Sequence, residues 1–169
     1  MLKQDKSIDT NVRLDHIGIA VRTFETALRV YRSIGVKIGD RELVADQGVT
    51  VQMLSVGATR IELLEPTGDD SPVARFLKKR GEGLHHIALQ VGSLSRTLDN
   101  LKERGIALID EEPRRGAAGN LVAFINPASS NGVLIELVER AEPTSANQHS
   151  PQIQSEYKRS TRQQGDIDD

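Results

Sequence analysis

The chain of 169 residues contains no cysteine. This absence excludes disulfide bonds, thiol nucleophiles and thiolate metal ligands. It also fits a cytosolic protein, because disulfides belong to oxidising compartments. Any metal ion bound by this protein must therefore be held by nitrogen and oxygen atoms.

Long apolar runs and an excess of charge of one sign are also missing. No apolar stretch approaches the roughly 18 residues that cross a bilayer, and no apolar segment follows the polar start of the chain. The 22 basic and 24 acidic side chains give a formal charge of −2, too little for a field that attracts nucleic acid or anionic lipid. We therefore expect a cytoplasmic protein with no membrane or nucleic-acid partner.

The composition is that of one globular domain, with 37% hydrophobic and 27% charged residues. Residues 1–12 are polar and without pattern, and residues 139–169 are crowded with Gln, Ser, Asp, Glu, Arg and Pro. Such segments bury too little apolar surface to fold alone. We predict a flexible segment over 1–12, one domain over 13–138 and a disordered tail over 139–169.

An internal repeat organises the domain. The strand-like run His16–Val21 returns 70 residues later as His86–Val91. An amphipathic helical pattern follows each run, and each pattern ends at a glycine, Gly35 or Gly105, that suits the left-handed position after a helix. The two halves of the domain therefore begin with the same strand and helix.

Each half continues with three more extended segments. The first of these is Val36–Ile38 in one half and Ile106–Leu108 in the other. The remaining strand candidates are Thr50–Leu54, Arg60–Leu64, Leu121–Ile125 and Val133–Val138. The pattern predicts two β-α-β-β-β modules, over about 13–66 and 83–138.

A short linker helix is predicted between the modules, over about 71–81. Ser71 and Pro72 form a good N-cap and first-turn pair, and Gly81 can end the helix. A glycine-containing loop over Arg114–Asn120 leads into the following strand.

Strand parity places one histidine of each module in a common cleft. Side chains alternate across a strand, so His16 and His86 lie opposite the branched residues that must pack on the helices. The last strand of each module carries one carboxylate inside an apolar run, Glu62 or Glu136. A lone buried carboxylate is costly, and a divalent cation held by all four side chains would offset that cost.

Each of these residues has an ordinary alternative role. A histidine at a strand start is usually a half-exposed polar residue, and glutamates in strands usually face solvent. Because the four residues recur at matching positions of a repeat, the set favours a metal site. His85 is not a ligand in this interpretation, since parity puts it on the other face, and His149 lies in the polar tail. Two imidazoles and two carboxylates suit Co²⁺, Ni²⁺, Zn²⁺ or Mn²⁺ and leave two positions for substrate oxygens on a six-coordinate ion.

These motifs resemble the vicinal-oxygen-chelate superfamily of glyoxalases, bleomycin resistance proteins and dioxygenases, and within it the methylmalonyl-CoA epimerase family. The resemblance covers about residues 13–139. The segments that carry it are Leu14–Val21, Asp46–Val49, Ile61–Pro66, Ser71–Leu77, Gly83–Ala88 and Gly132–Leu137. It implies an α+β fold in which the two tandem βαβββ modules form a curved mixed sheet around a metal-containing cleft.

The resemblance also implies an isomerase that interconverts the C2 epimers of methylmalonyl-CoA by 1,1-proton transfer through an enolate. The implied cofactor is a divalent metal ion, with Co²⁺ favoured over Ni²⁺, Zn²⁺ and Mn²⁺. Glu136 matches a family ligand that is also proposed as an acid/base. Asp46 matches the second acid/base, which is usually the longer glutamate; its alternative role is that of a turn aspartate. Glu62 is glutamine in some relatives, and its charge would make the ion a weaker electrophile.

Substrate contacts and assembly are further expectations. The backbone N–H groups of Gly116 and Gly119 could approach the acyl carboxylate, with a plain turn as the equal alternative. The implied partners are an acyl-CoA substrate and a second copy of the chain in a homodimer.

Two other functions share this fold. A glyoxalase-type lactoylglutathione lyase would use the same ligand types and related chemistry, so the ligands alone do not separate it from an epimerase. A non-enzymatic small-molecule-binding resistance protein would present aromatic walls to its ligand, whereas this chain has three Phe, two Tyr and no Trp. The scarcity of aromatic residues argues against this second alternative.

Overall fold

The structure, a computed structural model, describes residues 11–141 of the chain. Most of the predicted segments 1–12 and 139–169 lies outside the described residues. At the C-terminal end, Glu139 is still part of a strand and Arg140 pairs with Asp15. The folded part therefore continues past the boundary at 138 that the composition predicts.

Within residues 11–141, three α-helices and eight strands follow each other in the order that the repeat predicts. In the first half they are β1 (Arg13–Ala20), α1 (Phe24–Ser33), β2 (Lys37–Val44), β3 (Val49–Val56) and β4 (Thr59–Pro66). The linker helix is α2 (Pro72–Arg80). In the second half they are β5 (Gly83–Gln90), α3 (Leu94–Glu103), β6 (Arg114–Arg115), β7 (Leu121–Ile125) and β8 (Ile135–Glu139). Among residues 11–141, no helix is long and apolar enough to cross a membrane.

The eight strands of the described part of the chain belong to one curved, mixed sheet in the order β2-β3-β4-β1-β5-β8-β7-β6. Within each module the first and last strands pair in parallel, β1 with β4 and β5 with β8. The modules meet where β1 and β5 pair in antiparallel fashion. Equivalent strands of the two modules therefore lie at equal distances from the two edges of the sheet. This arrangement confirms the predicted α+β fold of two tandem βαβββ modules.

The second strand is where the modules differ most. Strand β2 has eight residues, whereas β6 has two. The predicted strand Ile106–Leu108 forms only one isolated bridge, between Leu108 and Ile125. Its apolar side chains still pack into the core beneath α3, and the pairing to β7 comes instead from Arg114 and Arg115, which were predicted to be loop. Apolar periodicity therefore located the buried segment but not the hydrogen-bonded one.

Both long helices begin and end alike. The hydroxyls of Thr23 and Ser93 accept hydrogen bonds from the backbone within the first turn of α1 and α3. Gly35 and Gly105 follow the two helices with φ of +78° and +72°, as predicted for the left-handed position. The linker helix has Ser71 as its N-cap.

A glutamate from the last strand of each module binds the start of that module's helix. The N–H of Phe24 donates to Glu65 at 2.6 Å, and the N–H of Leu94 donates to Glu139 at 2.5 Å. A negative charge at a helix N-terminus is favourable because the first N–H groups have no partner within the helix. Each helix is thereby fixed to the strand that carries the predicted ligand of its module.

Helices α1 and α3 cover one face of the sheet, and the site lies on the opposite face, where the linker helix also packs. The cluster beneath α1 comprises Val21, Phe24, Leu28, Leu54 and Leu63. The cluster beneath α3 comprises Val91, Leu94, Leu98, Ala123 and Leu137. A further cluster, formed by Ala20, Val49, Val51, Leu64, Val73 and Leu77, packs the linker helix against the first module.

Candidate metal centre

Two rows of neighbouring residues cross the four central strands, and each row contains one histidine and one glutamate. The first row, over β4, β1 and β5, is Glu62, Gly18 and His86. The second row, over β1, β5 and β8, is His16, Ala88 and Glu136. The structure thus brings together the four residues that the repeat predicts as metal ligands, around the junction of the two modules.

The two imidazoles lie within a few ångströms of each other and of both carboxylates. The Nε2 atoms of His16 and His86 are 3.0 Å apart. The nearest carboxylate oxygens of Glu62 and Glu136 lie 3.4 and 3.1 Å from His16 Nε2, and 3.6 and 3.4 Å from His86 Nε2. All four residues are buried, with 3–6% of their surface exposed. The ligand atoms of His16, His86 and Glu136 all lie within 4.8 Å of one another, and the Glu62 carboxylate contacts both imidazoles.

This donor set fits a divalent cation. Ligand atoms about 2.1 Å from an ion and at right angles to each other are about 3.0 Å apart, which matches the shortest of these distances. Glu136 Oε2 is buried without a hydrogen-bond partner of suitable geometry, although His16 Nε2 is near. A buried oxygen in this state is rare and calls for a partner such as an ion. The cluster thus suggests a divalent metal site.

The charges of the cluster are strongly coupled. Burial raises the pKa of Glu136, but the imidazoles of His16 and His86 outweigh it and lower this pKa to about 2. Burial lowers the pKa of His16, but Asp15, Glu136 and Glu62 together raise it to about 11. In the absence of a cation, a proton on His16 therefore supplies part of the positive charge that the carboxylates require.

Asp15 contacts the Nδ1 atom of His16, on the side of the ring away from the cluster, a role that the sequence interpretation missed. Its side chain is fully buried and its Oδ1 lies 2.8 Å from His16 Nδ1. Arg60 contacts the same carboxylate, and Arg140 reaches it at 2.7 Å. Burial opposes ionisation of Asp15, but His16 and the two guanidinium groups lower its pKa well below the usual range. The available signal was the Asp-His pair itself, since metal-bound histidines usually donate to a carboxylate.

His85 corrects the parity argument. It was predicted to point away from the cleft, but it lines the cleft, and its Nδ1 lies 3.0 Å from Nδ1 of His86. The register of the β1–β5 pair shifts at this residue, since Gly18 pairs with His86 whereas Ile19 pairs with Leu84. Such a bulge interrupts the alternation of side chains. Burial lowers the pKa of His85 to about 4, so its imidazole is neutral at pH 7.

Gly18 has a steric role that was not predicted. A Cβ atom at this position would lie 2.2 Å from Cε1 of His86. The imidazole of His86 therefore occupies the space in front of the Gly18 backbone. A glycine inside a strand run is a sequence signal for such a close approach.

A cleft of about 200 Å³ opens on this cluster. Its walls are mostly apolar and include Val49, Val51, Leu64 and Phe124. Asp46, the predicted second acid/base, lines the cleft from the turn Ala45–Gln47 and is exposed to solvent. The cleft therefore joins a buried donor set to an exposed carboxylate across an apolar surface.

Of the two glycines that were predicted to contact substrate, Gly119 lies in the turn Ala117–Gly119, and Gly116 precedes that turn with an extended backbone. The N–H of Gly116 donates to the carbonyl of Asn120 at 2.9 Å, and a Cβ there would clash with Val122. Gly119 has a φ of +72°. The cleft lining includes Ala117 and Arg114 from this segment. These observations favour the turn interpretation of Gly119 and put Gly116 at the end of β6; contact of either glycine with substrate stays a prediction.

Comparison with known proteins supplies the family. Residues 15–124 match the model of the Glyoxalase/Bleomycin resistance protein/Dioxygenase superfamily. The chain is 46% identical over 128 residues to the uncharacterized protein YqjC of Bacillus subtilis, covering 75% of this chain and 91% of that protein. It is 41% identical over 128 residues to the ethylmalonyl-CoA/methylmalonyl-CoA epimerase of Cereibacter sphaeroides, covering 74% and 96%.

A solved structure extends the likeness to three dimensions. The crystal structure of methylmalonyl-CoA epimerase from Mycobacterium tuberculosis superimposes with a TM-score of 0.73 at 39% identity, covering 76% of this chain and 88% of that one. The chain belongs to the glyoxalase/bleomycin resistance protein/dioxygenase superfamily and, within it, to the methylmalonyl-CoA epimerase family.

Proposed function

We propose that this protein is a metal-dependent epimerase that interconverts the C2 epimers of methylmalonyl-CoA. The observation that carries the proposal is the buried set of His16, Glu62, His86 and Glu136 at the base of an apolar cleft. Membership of the epimerase family supplies the substrate class, an acyl-CoA thioester.

The chemistry requires removal of a proton from C2 and its return to the opposite face. A divalent cation held by the four side chains would act as a Lewis acid for the negative charge that develops on the thioester oxygen. Glu136 is ionised because its neighbouring imidazoles lower its pKa, and we propose it as the acceptor of one C2 proton, although the same lowering weakens it as a base. Asp46, at the solvent side of the cleft, is proposed to hold or release the second proton. Because Asp46 is exposed, water can restore its protonation state between turnovers.

The cleft favours the acyl end of the substrate. Its volume of about 200 Å³ is below the range of about 300–1,000 Å³ that encloses a drug-sized ligand. We therefore infer that only the acyl and thioester groups enter, with the nucleotide outside. The apolar wall at Val49, Val51 and Phe124 suits a methyl group and excludes water from the developing enolate.

The same donor types would serve a glyoxalase-type lyase, so the choice rests on the relatives. Both the epimerase of Cereibacter sphaeroides and that of Mycobacterium tuberculosis match along most of their length. A binding module without enzymatic activity would have no use for four buried ligating side chains. Epimerisation is therefore the function that the observations favour.

Further features of the proposal come from the family resemblance. We propose Co²⁺ as the ion, with Ni²⁺, Zn²⁺ and Mn²⁺ as alternatives of the same donor preference. We also propose a homodimer and a cytoplasmic location. Light scattering on the purified protein would test the dimer, and activity after reconstitution with each ion would rank the metals.

The experiment that tests the proposal is deuterium exchange at C2 of single methylmalonyl-CoA epimers, followed by NMR in D₂O. Metal-stripped protein should be inactive and Co²⁺-reloaded protein active. Asp46→Asn should slow interconversion by about 100-fold or more, while exchange of one epimer with retention continues through Glu136. Asp40→Asn, on the exposed surface of β2, is the control and should leave both rates unchanged.

Glu136→Gln should abolish exchange of the epimer whose proton it removes, and metal content must be measured in parallel because the same residue is a proposed ligand. Wild-type protein with an occupied metal site and no exchange at C2 would contradict the proposal. A positive result with the hemithioacetal of methylglyoxal and glutathione would then replace the epimerase by the lyase.

A further inference from the structure

We propose that Asp15 and His85 are positioning residues for the metal centre, each acting on the Nδ1 atom of the histidine that follows it in sequence. Because one of them is a carboxylate and the other an imidazole, they make His16 and His86 unequal in their strength as metal ligands. This inference rests on the proposed function, since it assumes that His16 and His86 bind a cation.

Asp15 and His85 each lie at a β-bulge in the pair β1–β5. In the β1–β5 pair, Leu14 pairs with Leu89 and His16 with Ala88, so Asp15 is an extra residue in β1. In the same pair His85 is the extra residue in β5, as described above. Each bulge immediately precedes a ligand histidine, at equivalent positions of the two modules.

The bulges are what allow the contacts. In a regular strand, adjacent side chains point to opposite faces, so residue 15 or 85 would lie away from the ring that follows it. A bulge turns the extra side chain toward its neighbour. Asp15 Oδ1 reaches His16 Nδ1 at 2.8 Å, and His85 Nδ1 reaches His86 Nδ1 at 3.0 Å. The pair of bulges therefore provides each ligand with its own support.

The contacts fix which nitrogen faces the cluster. A histidine that binds a cation through Nε2 carries its proton on Nδ1 and donates it to a supporting group. For His16 the acceptor is the carboxylate of Asp15. For His86 the acceptor is the lone pair on Nδ1 of His85, which requires His85 to carry its own proton on Nε2.

The two supports differ in charge and in what holds them. Asp15 is fully buried and paired with Arg60 and Arg140, so it is a charged acceptor in a fixed position. His85 is a neutral acceptor whose ring packs edge-on against Phe76 of the linker helix, with ring centroids 4.9 Å apart. A charged acceptor strengthens the hydrogen bond and the basicity of the ligand. His16 is therefore the stronger donor, and His86 is oriented by a contact that the linker helix holds in place.

The test is cation affinity, measured with Co²⁺ in competition with a chelator on metal-stripped protein. Asp15→Asn keeps an acceptor but removes its charge, and should weaken binding by about 100-fold; His85→Phe keeps the ring contact with Phe76 but removes the acceptor, and should weaken binding by about 10-fold. Asp40→Asn, the same substitution at an exposed position of β2, is the matched control, because it leaves Asp15 and its contact with His16 intact. Its affinity should stay close to that of the wild type.

A second measurement does not depend on affinity. In Zn²⁺-loaded protein, NMR should show the Nδ1–H protons of both histidines, with the His16 signal shifted in Asp15→Asn and the His86 signal shifted in His85→Phe. Wild-type affinity in both variants with unchanged Nδ1–H signals would overturn the positioning role while leaving the metal site intact. A larger loss for His85→Phe than for Asp15→Asn would overturn the inequality. Failure of the wild type to bind any cation would contradict the proposed metal site itself. If Asp15→Asn does not fold, the affinity and the Nδ1–H signal of His85→Phe test the positioning role.

Discussion

The two modules of this protein have the same residue types at the metal-ligand positions and at the helix ends. They have different residue types on the two strands that join the modules. Both have a histidine and a glutamate in the cluster, a glycine after the helix and a glutamate at the helix start. They differ at the pairs Asp15 and His85, and Gly18 and Ala88. All four of these residues lie on β1 or β5, the strands that join the modules.

The difference at the junction has a steric reason. The rings of His16 and His86 stand almost perpendicular, at 81°. The His86 ring occupies the space in front of Gly18, whereas Ala88 keeps its methyl group beside His16. Ala88 has a methyl group where Gly18 has none, so the duplicated site is unequal at its centre. The ligand residues of the two modules are therefore the same types, whereas the residues that contact the ligand histidines are not.

The largest expected effect comes from making the junction symmetrical at Gly18. Gly18→Ala introduces a methyl group in place of the His86 imidazole, so the ring must move. We expect cation affinity to fall by about 100-fold and the free energy of unfolding to fall by about 1–3 kcal/mol, as for other overpacked sites. Ala88→Gly is the matched control and should cost about 1 kcal/mol with little change in affinity. Equal affinities of the two variants would contradict the steric account.

The second prediction concerns the inequality of the histidines. Without a cation, acidic neighbours raise the pKa of His16 to about 11, so His16 is protonated at all pH values below that. A cation must displace this proton, because only the neutral imidazole binds. Cation affinity should therefore rise by about tenfold for each unit of pH between pH 6 and 9, until hydrolysis of the ion intervenes. Calorimetry in buffers of different ionisation enthalpy should find about one proton released per ion, and the absence of proton release would show that His16 is neutral before binding.

The sequence predicted the four cluster residues because their positions depend on periodicity alone. A strand period of two and the repeated order of strands bring His16, His86, Glu62 and Glu136 to one face, although the offset of 70 residues holds for the histidines and not for the glutamates. His85 escaped prediction because a bulge breaks that period, and nothing in the local residues requires a bulge. Gly18 escaped because its need for space is set by His86, which is distant in sequence.

The segment between α3 and β7 shows the same limit for the fold. Ile106 and Leu108 have the apolar spacing of a strand, and both are packed in the core. Whether such a segment pairs with its neighbour depends on hydrogen bonds that the pattern does not encode. Here Ile109 and Asp110 both direct their N–H groups to the carbonyl of Phe124, and Pro113 lacks an N–H. Regular pairing therefore resumes only at Arg114.

The third prediction tests whether the modules are equally stable at their helix starts. Glu65→Ala and Glu139→Ala each remove the carboxylate that accepts the first helical N–H of their module. Each should lower the free energy of unfolding by about 1 kcal/mol in urea denaturation, as for the loss of a helix cap. Glu25→Ala, an exposed glutamate in the first turn of α1, is the control and should cost less. A clear excess for one module would reveal an energetic asymmetry that the matching geometry does not show.

The smallest expected effect lies in the cleft-lining turns, where the modules differ again. In the first module the left-handed residue after the turn Ala45–Gln47 is Gly48, whereas in the turn Ala117–Gly119 an alanine, Ala118, has a φ of +54°. The N–H of Ala118 is held by the Glu42 carboxylate at 2.9 and 3.0 Å. A left-handed alanine costs about 1–2 kcal/mol, and glycine would relieve this while losing about 0.5–1 kcal/mol through its freer unfolded chain. Ala118→Gly should therefore raise the free energy of unfolding by about 0.5 kcal/mol, whereas Ala117→Gly, which relieves no strain, should lower it. A loss of stability in Ala118→Gly would mean that the left-handed conformation of Ala118 costs less than the added freedom of the unfolded chain, because glycine keeps the N–H that Glu42 accepts.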